Sequence, residues 1–327
     1  MVVLALSGCA GGGEEQQARP QTSSSSDRAS ARPIVVDTDL GADDIIALAL
    51  LLRSPAVDVR AITVSGTGLV RCPVGARLVR GMLVDLRVRD RPVGCGRSKA
   101  GRDGLAFPEH WREASDTFYG LQMPPPIIDN GTTPDAARVL NAAISSSPTK
   151  VTVIALGPWT NLEDLLGKHP RTVPRIAGIH AMAGAIDVPG NGPDDAEWNV
   201  RADPSAFKAV LRSVSTTLIP LDATNTVPLD PAFFDRLSAD TSAPAASLAW
   251  RLIDKNRFLL TSGQSLWDEL AAITFVEPTL LDVQSVQIRV GASGRITPSS
   301  SGQEIKAAVA VDGSAATTAI LNALRGT

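Results

Sequence analysis

A chain of 327 residues, 44% of them hydrophobic, is long enough to bury a sizeable core as one large α/β domain or two small ones. A formal net charge of -3, with 20% charged residues and no basic run or basic-aromatic patch, argues against nucleic acid as the main partner. Three cysteines and three histidines form no Cys-His cluster of zinc spacing, and no segment has the ~20 uninterrupted apolar residues of a membrane span.

At the amino end, Leu6-Ser7-Gly8-Cys9 resembles the lipobox of bacterial lipoproteins, in which the cysteine is lipidated and becomes the new N-terminus. Residues 1–9 therefore read as a lipoprotein-type leader with Cys9 as its lipidation site. Met1-Val2-Val3-Leu4-Ala5 lacks a basic n-region and is short, so a truncated leader and a disordered tail with a chance cysteine both stay open. Residues 10–32, with Gly11-Gly12-Gly13 and consecutive serines from Ser23 to Ser26, have the composition of a flexible polar tether. The expected location is the outer face of the cell membrane, with membrane contact only through the lipid on Cys9. In an oxidising compartment the remaining Cys72 and Cys95 would pair as a disulfide; two ordinary buried thiols are the alternative.

From Pro33 onward, β-branched runs alternate with helix-like segments. Strands are predicted over 34–37, 57–64, 151–156, 176–182 and 217–221, and helices over 43–53, 74–86, 133–145, 160–169, 204–214, 243–257 and 266–275. Residues 283–310 read as two further strands around a Gly/Ser-rich turn, and 314–324 as a closing helix. No internal repeat or second linker divides 33–327, which is taken as a single domain. The alternation implies an α/β fold: an open, mainly parallel sheet with helices on both faces. Ligands of such sheets collect beyond the carboxyl ends of the strands, where Asp37 to Asp44, the Gly157-Pro158 turn and the loop 183–199 all fall.

The stretch Asp37-Thr38-Asp39-Leu40-Gly41-Ala42-Asp43-Asp44 sets four carboxylates where a buried strand becomes a buried helix. Asp37 and Asp39 project to one side of the strand, and Asp43 and Asp44 occupy the first turn of the helix. Packed together they would repel and lose hydration, and the helix dipole offsets only ~0.3–1 kcal/mol per charge. A bound cation resolves this, and oxygen-only ligands suit calcium or magnesium. Solvated turn residues with a helix N-cap would explain one of the four but not the set. An EF-hand loop starting at Asp37 fails at its twelfth position, Leu48, and Leu40-Gly41-Ala42 departs from the Gly-Thr expected after an aspartyl-phosphate motif.

The same stretch is similar to the N-terminal signature of the calcium-dependent nucleoside hydrolases, with Leu40 in place of Pro. Further segments resemble that family in its own order. They are Ala155-Leu156-Gly157-Pro158-Trp159-Thr160-Asn161-Leu162, Glu197-Trp198-Asn199 with Asp203-Pro204, Leu221-Asp222-Ala223-Thr224, and Trp267-Asp268. The resemblance covers most of 33–277 and implies the nucleoside hydrolase fold with its Rossmann-like core. It implies Ca²⁺ held by Asp39, Asp44, Asp268 and the Leu156 carbonyl, with Asp37 in support. It also implies a ribose bound by Asp43, Asn191, Glu197, Asn199 and Asp268. The activity implied is hydrolysis of ribonucleosides to base and ribose by a calcium-activated water, with Asp39 as general base. Assembly into a homo-oligomer is implied by family analogy alone.

Two departures bear on the reaction. One branch of the family has His before the metal-binding Asp as acid for the leaving base; this chain has Trp267, as the purine-specific branch does, and an indole can stack on a purine but not protonate it. The resemblance therefore favours purine nucleosides. Where relatives have Gly-Asn near the ribose, this chain reads Ser65-Gly66-Thr67-Gly68, with Thr67 as the substitute. His110 and Trp111 lie in the region that closes over the base in relatives, although a surface residue is the default there. Two other readings compete: a ligand-binding or sensing lipoprotein without turnover, and a hydrolase of another N-riboside.

Overall fold

Ile34, Val35 and Val36 are apolar at every position and fully buried, as a strand covered on both faces requires. The computed structural model describes residues 31–126 and 132–327. Its strands are β1 (Arg32–Thr38), β2 (Val57–Val64), β3 (Val93–Cys95), β4 (Val151–Ala155), β5 (Ile176–Met182), β6 (Thr216–Ile219), β7 (Leu281–Val290), β8 (Ile296–Pro298) and β9 (Gln303–Val311). They form one sheet in the order β3-β2-β1-β4-β5-β6-β9-β7-β8. Neighbours pair in parallel from β3 through β9, whereas β7 is antiparallel to both β9 and β8.

The helices are α1 (Ala42–Arg53), α2 (Cys72–Asp85), α3 (Glu109–Asp116), α4 (Ala136–Ser145), α5 (Thr160–Lys168), α6 (Trp198–Ala202), α7 (Pro204–Leu211), α8 (Leu221–Thr224), α9 (Pro231–Ser238), α10 (Pro244–Lys255), α11 (Trp267–Val276) and α12 (Gly313–Arg325). Two cores follow from the alternation of side chains along the strands. Val36 packs in one core with Ile46, Met82, Phe233, Leu252, Leu270 and Ile320 of α1, α2 and α9 to α12. Val35 packs in the other with Leu140, Leu162 and Phe207 of α4, α5 and α7. The open, mostly parallel α/β sheet predicted from the sequence is thus the observed one, and residues 31–327 form one unit. The leader, Cys9 and the tether up to residue 30 lie outside the described residues. Among the described residues no helix is long and apolar enough to cross a membrane.

The topology places the site. From β1 the chain moves outward through β2 to β3, then returns to β4 on the opposite flank of β1. The order reverses at β1–β4, so a crevice opens beyond their carboxyl ends, where Asp39 and Leu156 immediately follow the two strands.

Several predicted boundaries shift for local reasons. The strand expected over 217–221 stops at Ile219, because Pro220 has no N–H for the ladder and N-caps α8 instead. The helix expected from 133 begins at Ala136, where the Asp135 side chain accepts from the Arg138 N–H at 3.1 Å. The two strands expected over 283–310 prove to be three, with β8 added along β7. Strand β3, only three residues long, and helix α3 had no readable period.

Cys72 at the start of α2 and Cys95 at the end of β3 are joined as a disulfide with Cα atoms 5.4 Å apart. It closes a loop of sequence separation 23, and such a bridge contributes about 3 kcal/mol by restricting the unfolded chain. Reduction, or Cys72→Ala with Cys95→Ala, is expected to lower stability in urea denaturation by about that amount. An unchanged urea midpoint after reduction would show the bridge to be idle.

Candidate active site

The turn from β1 into α1 is built around Asp44. Its Oδ1 accepts the Asp39 N–H at 3.0 Å and the Thr38 hydroxyl, and its Oδ2 accepts the Gly41 N–H at 3.0 Å. These bonds satisfy N–H groups ahead of the helix and set the Asp44 side chain at its N-terminal end. Leu40 sits in the left-handed region with φ 56°, and Ser115 Oγ donates to its carbonyl at 2.7 Å. Proline is held near φ -65°, so the similar Pro-containing signature must take a different path through this residue.

Asp39 is fully enclosed. Its Oδ2 accepts the Leu69 N–H at 3.0 Å, and a Cβ at Gly68 would come within 2.2 Å of its own Cβ. Gly68 is therefore needed for the loop after β2 to approach the carboxylate so closely. Burial, and next the Asp44 charge, hold the Asp39 carboxyl well above the usual carboxylate range. Asp37 lies one layer deeper: its Oδ1 accepts from Thr63 Oγ1 and Asn161 Nδ2, both at 2.6 Å, and burial pushes its carboxyl up to about 7.

Asp43, Asp44 and Asp268 each present an oxygen within 4.8 Å of the others. Asp268, in the first turn of α11, is buried with no hydrogen-bond partner for Oδ1. Burial raises Asp43 to about 7 and Asp268 well above its usual range, with Asp44 the next cause for both. Glu269 is wholly buried, has no partner for either carboxylate oxygen, and is raised chiefly by burial and then by Asp43. An orphaned, buried carboxylate oxygen pointing into a cluster of like charges is the signature of a place for a cation, and the donor set fits one. The Leu156 carbonyl, on the same cavity wall, accepts one hydrogen bond from Asn199 Nδ2 at 2.8 Å, which leaves a lone pair. Asp39, expected as a ligand, lines the same cavity but is not one of the three carboxylates whose oxygens gather within 4.8 Å. Asp43, expected on the sugar, stands in the position of a third carboxylate of the cluster.

The other predicted contacts gather around it. Glu197 N-caps α6, its Oε1 accepting the Asn199 N–H at 2.7 Å and its Oε2 the Gly184 and Val200 N–H groups at 2.9 and 3.3 Å. Burial raises its carboxyl, and these donors oppose the shift. Asn199 Nδ2 also reaches the Met182 carbonyl at 3.1 Å, tying the ends of β4 and β5 together. Asn191 Oδ1 accepts the Trp198 N–H at 3.1 Å. All three residues line the cavity. Thr67 does not. Its hydroxyl meets Thr160 Oγ1 at 2.7 Å and Ser65 Oγ at 3.1 Å in a buried chain ending on Asp203, so it is no stand-in for the asparagine of relatives.

The cavity, about 380 Å³, is also lined by aromatic and apolar side chains. Phe107 stacks on Trp198 with centroids 4.7 Å apart, and Trp111 meets Trp198 edge-on at 5.5 Å. Trp267 lines the same space, its N–H committed to Asn225 Oδ1 at 2.9 Å, and Phe258 stands at the rim with 58% of its surface exposed. Of the pair His110 and Trp111, only Trp111 reaches the cavity. Phe107, Trp198, Phe258, Tyr119 and the Leu69 N–H were not foreseen from the sequence, since they lie on segments without periodicity. The chain's lone Tyr was the available signal.

The profile of the family described as inosine-uridine preferring nucleoside hydrolase matches residues 34–318. The pyrimidine-specific ribonucleoside hydrolase RihA of Citrobacter koseri is 31% identical over 274 residues, which is 82% of this chain and 86% of that protein. Among solved structures, the inosine-uridine preferring nucleoside hydrolase from Bacillus anthracis superposes with a TM-score of 0.78 at 20% identity, covering 90% of this chain and all of that one. The purine-preferring ribonucleoside hydrolase from Gardnerella vaginalis gives 0.74 at 21%, covering 90% of this chain and 98% of its own. With the fold, the acidic crevice and a family match over most of its length, the chain belongs to the inosine-uridine preferring nucleoside hydrolases.

Proposed function

We propose that the protein hydrolyses the N-glycosidic bond of ribonucleosides, purines favoured, to free base and ribose, with calcium as the resident cation. One observation carries this reading: a single cavity is lined both by a buried carboxylate cluster and by several aromatic rings. The first suits a cation and a polyhydroxylated sugar, the second a flat heterocycle. Asp43, Asp44 and Asp268 would hold the ion, with Asp39 and the Leu156 carbonyl of the same cavity completing an all-oxygen set of the kind calcium accepts. When bound, it would supply positive charge that orders these carboxylates and the sugar hydroxyls.

The chain's own groups divide the remaining work. Asp39, fixed through Oδ2 by the Leu69 N–H, takes the proton of the attacking water. Glu197, Asn199 and Asn191 hold the sugar, and the surrounding carboxylates stabilise positive charge developing on its ring. Asp37, clamped by Thr63 and Asn161, keeps the strand end in register. Trp267, its N–H tied to Asn225, offers a ring for stacking against the base.

Relatives point to both base classes, so the lining must decide. A bicyclic base covers more of the aromatic wall than a single ring does. kcat/KM for inosine and guanosine is expected to exceed that for uridine and cytidine by about tenfold or more, the worth of 1–3 kcal/mol of apolar contact. Equal or inverted values would remove the purine preference.

A further inference from the structure

Just beyond α3 the backbone does something costly. Phe118, Tyr119 and Gly120 are all left-handed, with φ 51°, 53° and 76°. For the two aromatic residues this stores of order 1–3 kcal/mol each, and it persists only where the surroundings impose it. They do so here. Phe118 is wholly buried, the Leu121 N–H bonds its carbonyl at 2.9 Å, and Asn256 Nδ2 holds the Tyr119 carbonyl at 3.1 Å. Gly120 is confined too, since a Cβ there would come within 2.7 Å of Lys255 Cε. The product of this strained turn is that Tyr119 lines the cavity together with Ala42 and Asp43 of α1. A phenol O–H is a donor as well as an acceptor.

The reaction read above lacks such a donor. When the C1′–N bond breaks, its electron pair leaves on the base, and the Trp267 N–H is already committed to Asn225. Tyr119 lines the cavity with both the carboxylates and the aromatic wall. We propose that Tyr119 is a catalytic residue whose phenol O–H donates a hydrogen bond to the departing nucleobase, the assistance Trp267 cannot give. The inference rests on the nucleoside hydrolase reading. Water oxygen bonds to C1′, its proton passes to Asp39 and through solvent to the base, and Tyr119 keeps its own proton, a neutral phenol at working pH.

The test is Tyr119→Phe, assayed on inosine and on 4-nitrophenyl β-D-riboside, whose leaving group is stable as an anion and needs no donor. Loss of a hydrogen bond to a charged group should lower kcat on inosine about 10- to 100-fold. Turnover of the nitrophenyl riboside should stay within about threefold of wild type, which also reports that the variant is folded. Equal losses on both substrates, the mark of a sugar-binding or structural role, would overturn the proposal, as would an unchanged rate on inosine. Wild-type protein that cleaves neither substrate would instead remove the hydrolase reading, and this one with it.

Discussion

Asp39→Asn is expected to lower nucleoside turnover by about 10³-fold, within the 10²–10⁴ range of a lost general base, while the protein stays folded. The amide has no basic oxygen for the proton of water, and it withdraws a negative charge from beside a sugar ring that is becoming cationic. Folding should survive. The amide oxygen can still accept the Leu69 N–H that Oδ2 now accepts at 3.0 Å, and a neutral side chain relieves the repulsion from Asp44 that raises Asp39. A variant that keeps more than about a tenth of normal turnover would deny Asp39 the role of base, because a base acting through another group leaves its substitution mild.

Chelation should have an equally large effect, and one with a definite pH signature. Without a cation, Asp37 and Asp43 are pushed up to about 7 from an ordinary 3.8, and Asp39, Asp268 and Glu269 are raised as well, burial being the leading cause throughout. A folded-state value above the unfolded one means that the folded protein binds the proton more tightly. The resulting stability is fully present below about 3.8 and is lost as pH rises through about 7. A single carboxyl moved this far contributes up to about 4 kcal/mol. The thermal midpoint of the chelated protein should therefore fall between pH 5 and pH 8. Saturating calcium should restore it by about 4 °C at pH 8, the shift expected from ~2.7 kcal/mol of binding in a domain of this size, and by clearly less at pH 5. A midpoint at pH 8 that ignores both chelator and calcium would mean that the carboxylates are compensated by something other than a cation.

How much of this was legible in the sequence depends on how the information is carried. The apolar run Ile34 to Val36, ending in Asp37 and Asp39, announces a doubly covered strand whose carboxyl edge bears charge, and the structure places both aspartates there. Glu197 and Asn199 were found because they sit in a motif resembling the family. Their backbone partners, Gly184 and the carbonyls of Leu156 and Met182, belong to other strands' ends and have no local sequence signal. Of the aromatic wall, Trp111 and Trp267 were singled out in the sequence, whereas Phe107, Trp198 and Tyr119 were missed for a similar reason. Phe107, Trp111 and Tyr119 come from an aperiodic stretch after β3, and only tertiary packing brings them to Trp198 and Trp267. Thr67 was misjudged because position in a motif does not fix where a side chain points; a short hydroxyl found Thr160 in the interior. The left-handed turn at Leu40 and the strained pair Phe118 and Tyr119 are equally silent, since neither uses glycine at those positions.

The central claim is that the acidic cluster of the cavity, once it holds a cation, cleaves the bond to a base lodged against the aromatic rings. Release of hypoxanthine from inosine by the purified protein, followed with chelator and again after calcium is restored, tests it most directly. Turnover that vanishes on chelation and returns with calcium is the expected result. Undiminished release in the presence of chelator, or no release of base with calcium saturating, would contradict it.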